Sequence, residues 1–290
     1  LPELPEVETM RRGLLPVVGA TIEEAALPPC RLRPISWRPT FAEFRRRVRG
    51  RRIVEVGRRG KRVLLQLCDD SLIVIEPRMT GLVLLADPPG EEHLRLRLRL
   101  IPEGGGEGPR ELLFWDRRGL GTIRLLAAEE IEGVLGSARL GPDALAIDAA
   151  MLRERLGGSR RAIKVALLDQ RAAAGIGNLY AAEILFTAGV DPRARCDRLT
   201  GAQWERIAAA THAILNDAIL HEGSTLSDGT YRNALNDPGS YQNHHRVYDR
   251  AGERCRRCEA ATIERIVQAQ RATFFCPGCQ TRRGRHRSVP

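Results

Sequence analysis

The chain has 290 residues, of which 43% are apolar, enough for about two domains with sizeable cores. No apolar run approaches the ~20 residues that span a bilayer, and the amino terminus lacks the basic-then-apolar layout of a secretory signal, so a membrane-embedded helical protein is excluded and a cytoplasmic location is expected. With 46 Lys and Arg against 36 Asp and Glu, the net charge of +10 favours a polyanionic partner such as a phosphate backbone.

The first nine residues place Pro2 beside the carboxylate of Glu3. A terminal proline is a secondary amine with a pKa of about 8, partly unprotonated at neutral pH and able to attack a sugar aldehyde carbon. The resulting iminium is an electron sink that promotes elimination. Leu1 stands ahead of Pro2 and would turn its nitrogen into an unreactive amide. The expectation is that Leu1 records a non-standard start codon, read as methionine and trimmed before the proline. Behind this pair, Val7, Met10 and Leu14 share one face of a helix from about Pro5 to Leu15. Glu6 and Glu8 early and Arg11 and Arg12 late suit its dipole.

Short runs at Arg52–Val56, Val63–Leu67, Leu72–Ile75, Leu82–Leu85, Leu94–Leu100, Leu112–Trp115 and Thr122–Leu126 read as strands, with one helix at Phe41–Val48. Many short strands separated by turn residues predict a sandwich or barrel. Arg95, Arg97 and Arg99 alternate with leucines and read as a solvated outer face rather than a DNA track. Acidic and small residues around Ala128–Ala149 read as a linker. Helices then follow at Arg161–Gln170, Leu179–Ala188 and Thr200–His221, the last opened by a Thr200/Gln203 capping box. Asn178, after Gly175-Ile176-Gly177, has the arrangement of an ordinary capped turn, the commoner case for these residues alone, or of a cap residue at an anion-binding helix start.

Cys255-x2-Cys258 and Cys276-x2-Cys279 are separated by 17 residues, the spacing of two facing zinc knuckles, with two disulfides as the alternative. Cys30, Cys68 and Cys196 read as small core residues. The expected architecture is multidomain α+β. A β-sandwich with a leading helix (1–127) and a linker (128–150) precede a helical domain (151–243), a zinc finger (244–280) and a basic tail (281–290).

Several segments together resemble formamidopyrimidine-DNA glycosylases, bacterial enzymes that excise oxidised purines and cut the strand. They are Pro2–Thr9, Arg59–Arg62, Met79–Gly81, Lys164–Gln170, Gly175–Ala181, Gly223–Asp228, Val247–Tyr248 and the cysteine hairpin. The resemblance implies Pro2 as Schiff-base nucleophile, Glu3 as the acid that opens the sugar ring, and Lys61 in proton transfer or phosphate holding. It implies Arg271 at the zinc-hairpin tip in phosphate binding and the final elimination. Met79, Arg118 and Leu120 would fill the gap left by an everted base. Leu120 stands where the family usually has phenylalanine, and Arg117-Arg118-Gly119 departs from its Pro-Arg-Arg run. His93, Lys164 and Asn178 would touch DNA, and 223–242 would cover the everted base. Glu76-Pro77-Arg78 replaces a family His-Leu-Gly, and Ala269 a family glycine.

By the same resemblance the fold holds a helix-two-turn-helix, and one structural zinc on four thiolates. The partner is damaged double-stranded DNA lying between the two domains, with no membrane involvement and a monomeric protein. Two rival readings are an endonuclease VIII-type enzyme acting on oxidised pyrimidines and a catalytically silent damage-binding protein.

Overall fold

The computed structural model describes residues 2–226 and 229–281. Leu1, two residues of the segment expected to cover the everted base (227–228) and the basic tail from 282 onward lie outside them. The chain divides into two compact units, one running up to Gly136 and including Ile219–Gln242, the other comprising Ser137–Ala218 and the chain from Asn243.

The first unit opens with α1 (Leu4–Gly13), β1 (Thr21–Ala26), β2 (Ser36–Arg38) and α2 (Phe41–Val48). The strands β3 (Ile53–Arg59), β4 (Arg62–Leu67), β5 (Leu72–Glu76), β6 (Gly81–Leu84), β7 (Leu94–Ile101), β8 (Glu111–Asp116) and β9 (Thr122–Leu126) follow, then α3 (Ala128–Leu135). Two sheets form, ordered β1-β7-β8-β6 and β2-β9-β5-β4-β3, antiparallel except for the parallel β2/β9 pair. Alternating residues such as Val63 and Leu65 on β4 point inward, and Val7 and Met10 of α1, with Leu14 just past its end, join Leu96, Ile75, Phe114 and Ile123 in one core. The expected sandwich and leading helix are both present.

Several expectations need correction. β1 and β2 were not anticipated: Thr21–Ala26 has little apolar alternation and is a strand because β7 pairs with it, and β2 is only three residues laid along β9. The expected linker opens with a helix, α3, which packs on β9. Arg95 does not face solvent. A register shift between Leu94 and Leu96 bulges β7 and turns Arg95 inward, where it is 4% exposed. Segment 223–242 packs with the sandwich rather than with the helices, because Tyr231 and Ala234 lie in its core and the Leu85 N–H donates to the Ala234 carbonyl at 2.9 Å. Cys68 is exposed, and Cys30 half-buried; Cys196 alone of the three is a core residue.

The second unit holds α4 (Ala149–Leu156), α5 (Ile163–Leu167), α6 (Asn178–Ala188), α7 (Gly201–Leu220, its last two residues counted with the first unit) and the hairpin β10 (Glu264–Gln268) and β11 (Arg271–Phe275). The unexpected α4 is started by Asp148, whose Oδ1 accepts the Met151 N–H at 2.7 Å. α5 is shorter than expected because the Asp169 carbonyl gathers the Ala172 and Ala173 N–H groups into a turn. The Thr200/Gln203 box at the start of α7 is present as expected.

α6 is buried on nearly all sides and ends at Gly189, a left-handed residue at φ 66°. Within it, Glu183 is wholly buried and its carboxylate accepts the N–H groups of Arg246, Val247 and Tyr248 at 2.8–3.0 Å. Burial pushes its carboxyl above the usual range, against the pull of those three donors. The segment leading into the cysteine hairpin is thus anchored to the central helix.

Candidate active site and DNA interface

In the first unit, Pro2 is buried and Glu3, 3% exposed, is the residue from which α1 starts. Glu6, one turn on, accepts the Glu3 backbone N–H on Oε2 at 2.8 Å, which fixes the backbone of Glu3 next to Pro2. The second oxygen of Glu6 accepts the Ser224 N–H at 2.9 Å, so segment 223–242 is tied to the same helix start. Reading Glu6 merely as an early-helix acid missed this. The Glu3-x-x-Glu6 spacing of a capping box was the available signal.

Lys61 sits in the two-residue turn between β3 and β4, after Gly60 at φ 56°. Arg58 holds that turn: its Nη1 donates to the Gly60 carbonyl at 2.9 Å and its Nε to Glu8 on α1 at 3.0 Å. Burial alone would raise the Glu8 carboxyl, but Arg11, Arg12 and Arg58 outweigh it and hold the group below its ordinary value. The anionic Glu8 therefore locks the lysine turn to the helix that follows Pro2 and Glu3.

Met79, half-buried, lies in the turn between β5 and β6. Despite its altered sequence this turn closes tightly. Arg78 takes φ 58° and the Gly81 N–H donates to the Pro77 carbonyl at 2.9 Å, with no room for a Cβ at Gly81. Arg118 is exposed and Leu120 half-buried on the loop after β8. Gly119 between them has φ 60°, and a Cβ there would lie 2.2 Å from the Arg33 carbonyl oxygen, so this departure from the family pattern is sterically required. The Met79 turn and the Arg118 loop meet through buried Asp116. Its Oδ1 accepts the Thr80 hydroxyl at 2.6 Å and the Arg118 N–H at 3.2 Å, and its Oδ2 accepts the Gly121 N–H at 2.7 Å.

His93 ends a short 3-10 turn before β7. Its ring stands edge-on to Trp115 with centroids 5.2 Å apart, and its Nδ1 is buried without a hydrogen-bond partner among the described residues.

In the second unit, Asn178 is the first residue of α6, with Gly177 in the capping position expected for Asn178 itself. Its Oδ1 accepts from Lys164 Nζ at 2.6 Å and its Nδ2 donates to the Ala272 carbonyl at 3.0 Å. Lys164 is 0% exposed, and its Nζ is held against Asn178. The same bonds join the helix start to the hairpin strand that begins with exposed Arg271. Ala269 and Gln270, the two loop residues of that hairpin, take φ 46° and 61°, the primed turn that matches strand twist and usually employs Asn-Gly.

The four cysteine sulfurs all lie within 4.8 Å of one another. Cys255–Cys279 and Cys258–Cys276 are separated by 3.8 and 3.7 Å, against about 3.8 Å for the edge of a tetrahedron with Zn–S bonds of about 2.3 Å. A disulfide needs about 2.05 Å, so the zinc reading prevails over the disulfide alternative. The residues fit one structural ion that leaves no open position for substrate.

The sandwich with Pro2 and Glu3 ahead of its leading helix, the helical unit with Asn178 at the start of α6, and the four-cysteine hairpin together match the architecture expected of a DNA-processing enzyme. The chain matches the formamidopyrimidine-DNA glycosylase N-terminal domain over residues 1–123, the H2TH domain of the same glycosylases over 140–230, and a zinc finger found in FPG and IleRS over 252–282. It is 40% identical over 287 residues to formamidopyrimidine-DNA glycosylase of Chloroflexus aurantiacus, covering 97% of this chain and 98% of that protein.

Among solved structures it resembles the MutM (FPG) protein of Thermus thermophilus, at 38% identity and a TM-score of 0.82 over 96% of this chain and 98% of that one. It also resembles the Lactococcus lactis Fpg in complex with DNA containing an abasic site, at 31% identity and a TM-score of 0.83 over 96% and 99%. The chain belongs to the formamidopyrimidine-DNA glycosylase family. No helix among the described residues is long and apolar enough to cross a membrane.

Proposed function

We propose that this enzyme removes oxidised purines from duplex DNA and then cleaves the strand by β- and δ-elimination, with Pro2 as nucleophile. The observation that carries the reading is the helix start, where Pro2 and Glu3 adjoin and Glu6 holds the Glu3 backbone. The Pro2 nitrogen attacks C1′ of the everted nucleotide and the glycosidic bond breaks, the base leaving with its electron pair and a proton. Glu3 protonates the ring oxygen as the ring opens to a C1′ iminium. Positioned acid–base transfer of this kind is worth about 10² to 10⁴ in rate.

Loss of a C2′ proton sends its electron pair toward the iminium and expels the 3′ phosphate. A second elimination expels the 5′ phosphate, and water releases the sugar fragment from Pro2. Lys61 serves proton transfer or phosphate holding, and Arg271 binds phosphate during the last elimination. Eversion costs a few kcal/mol. Met79, Arg118 and Leu120 offset it by filling the gap and meeting the widowed base, Leu120 as a wedge without an aromatic face. Asn178, steadied by Lys164, docks phosphate at the start of α6, and His93 contacts the backbone. The chromosomal substrate places the enzyme in the cytoplasm at the nucleoid.

Borohydride trapping on an 8-oxoguanine duplex tests the mechanism. Protein whose amino terminus is confirmed as Pro2 by intact mass forms a covalent adduct, and absence of that adduct overturns the catalytic reading. Faster excision of thymine glycol than of 8-oxoguanine would favour the pyrimidine-type rival.

A further inference from the structure

Arg95 is a buried guanidinium on β7, and among the described residues it makes no ion pair. Its Nε donates to the backbone carbonyl of Asp116 at 2.9 Å, its Nη1 contacts the sulfur of Cys30, and its Nη2 is buried without a partner. Burying a cation on neutral acceptors costs several kcal/mol, and an apolar side chain at this core-facing position would avoid that cost. What the charge does secure is the main chain of Asp116, the last residue of β8 and the residue whose carboxylate gathers Thr80, Arg118 and Gly121.

We infer that Arg95 and Thr80 are positioning residues for the gap-filling group, acting through Asp116 to hold the Met79 turn and the Arg118–Leu120 loop in one fixed relation. Arg95 holds the Asp116 backbone from inside the sandwich. Thr80, the residue next to Met79, donates its hydroxyl to the Asp116 carboxylate. Neither side chain touches DNA. Their effect falls on the step that depends on the loops, which is stabilising the everted state and meeting the opposite base, and not on chemistry at C1′. The inference rests on the proposed role of Met79, Arg118 and Leu120.

The test compares Arg95→Met, Arg95→Lys, Thr80→Val and Arg118→Ala with the parent enzyme under single-turnover conditions. Duplexes carry 8-oxoguanine opposite each of the four bases, or a pre-formed abasic site. Displacing a positioned group by about 1 Å costs up to about 100-fold in rate. Arg95→Met and Thr80→Val are therefore expected to slow 8-oxoguanine excision by about 10- to 100-fold and to flatten its dependence on the opposite base. Elimination at the pre-formed abasic site should stay within about 3-fold, and Arg95→Lys, which keeps a donor for the Asp116 carbonyl, should recover most of the excision rate.

Equal losses on both substrates would mark a general structural role and overturn the inference. Should Arg95→Met not fold, the isosteric Thr80→Val carries the same expectation. If Arg118→Ala impairs excision while Arg95→Met and Thr80→Val behave as the parent, the inference alone fails. If Arg118→Ala is itself without effect, the gap-filling reading fails and takes the inference with it.

Discussion

Glu6 accepts the backbone N–H of Ser224 at 2.9 Å, although 218 positions separate the two residues, and its other oxygen holds the N–H of Glu3. One buried carboxylate thus joins the reactive end of α1 to the segment expected to cover the everted base. Gly223 is needed beside it, at φ 78°, because a Cβ there would press within 2.8 Å of Glu6 Oε1.

Glu6→Gln keeps the shape but turns one acceptor into a donor facing an N–H group. The expected outcome is a destabilisation of about 1–3 kcal/mol in urea unfolding, because a buried donor loses its acceptor. Base excision should slow by at least about 10-fold through the misplaced Glu3 and Ser224 backbones. A variant with parental stability and rate would show that the carboxylate is dispensable.

Zinc should behave as a folding ligand. Structural zinc sites supply roughly 10–16 kcal/mol of apparent binding free energy in small peptides, and Cys255 and Cys276 here also pack with Phe186, Val247 and Phe274. Metal analysis is expected to find one zinc per chain. Chelation, or Cys258→Ser, should abolish DNA binding measured by fluorescence anisotropy, with zinc restoring it to the chelated parent protein. Binding that survives verified metal loss would contradict the assignment.

His245 introduces a pH dependence. Burial, with Arg250 and His244 nearby, holds its imidazole down to about 4, whereas in the unfolded chain it titrates near 6.5. Because the folded value is the lower one, the unfolded state takes up the proton first. The contribution is fully present above pH 6.5 and is lost as pH falls from 6.5 to about 4, amounting to a loss on the order of 3 kcal/mol. Urea unfolding of the parent and of His245→Phe across that window should show a shallower slope for the variant, which retains a ring against Tyr248.

The hairpin turn offers a gain of stability. Ala269 and Gln270 both occupy the left-handed region, where a side chain costs about 1 kcal/mol or more and glycine is free of the penalty. Gln270→Gly is expected to stabilise the protein by about 1 kcal/mol in chemical denaturation, while DNA affinity changes by less than about 2-fold. Destabilisation would indicate that the Gln270 side chain is needed in the turn.

The strands from β3 to β9, the leading helix and the zinc ligands were legible in the chain because they rest on local signals. Apolar alternation, caps such as Thr200/Gln203 and paired Cys-x2-Cys knuckles act over a few residues. The proposed chemistry at Pro2 and Glu3 was likewise suggested by near neighbours, since a proline beside a carboxylate close to the amino terminus needs no fold to be noticed. Pairing across the chain was not legible. β1 is a strand because β7 lies beside it, and α3 occupies a stretch whose composition reads as linker.

Burial of charge followed the same division. The spacing of Arg95, Arg97 and Arg99 is a period-two pattern, and nothing local distinguishes the first from the other two. Only the bulge in β7 and the carbonyl at the end of β8 turn Arg95 inward. Lys164 likewise reads as a surface cation until Asn178 is seen to receive it in the interior. Sequence determined which groups can react, cap or bind a metal, because those properties belong to side chains and their near neighbours. Tertiary structure alone decided which of the charged groups are held inside to place the others, because a hydrogen bond between Glu6 and Ser224 or between Arg95 and Asp116 exists only once distant segments have been packed together.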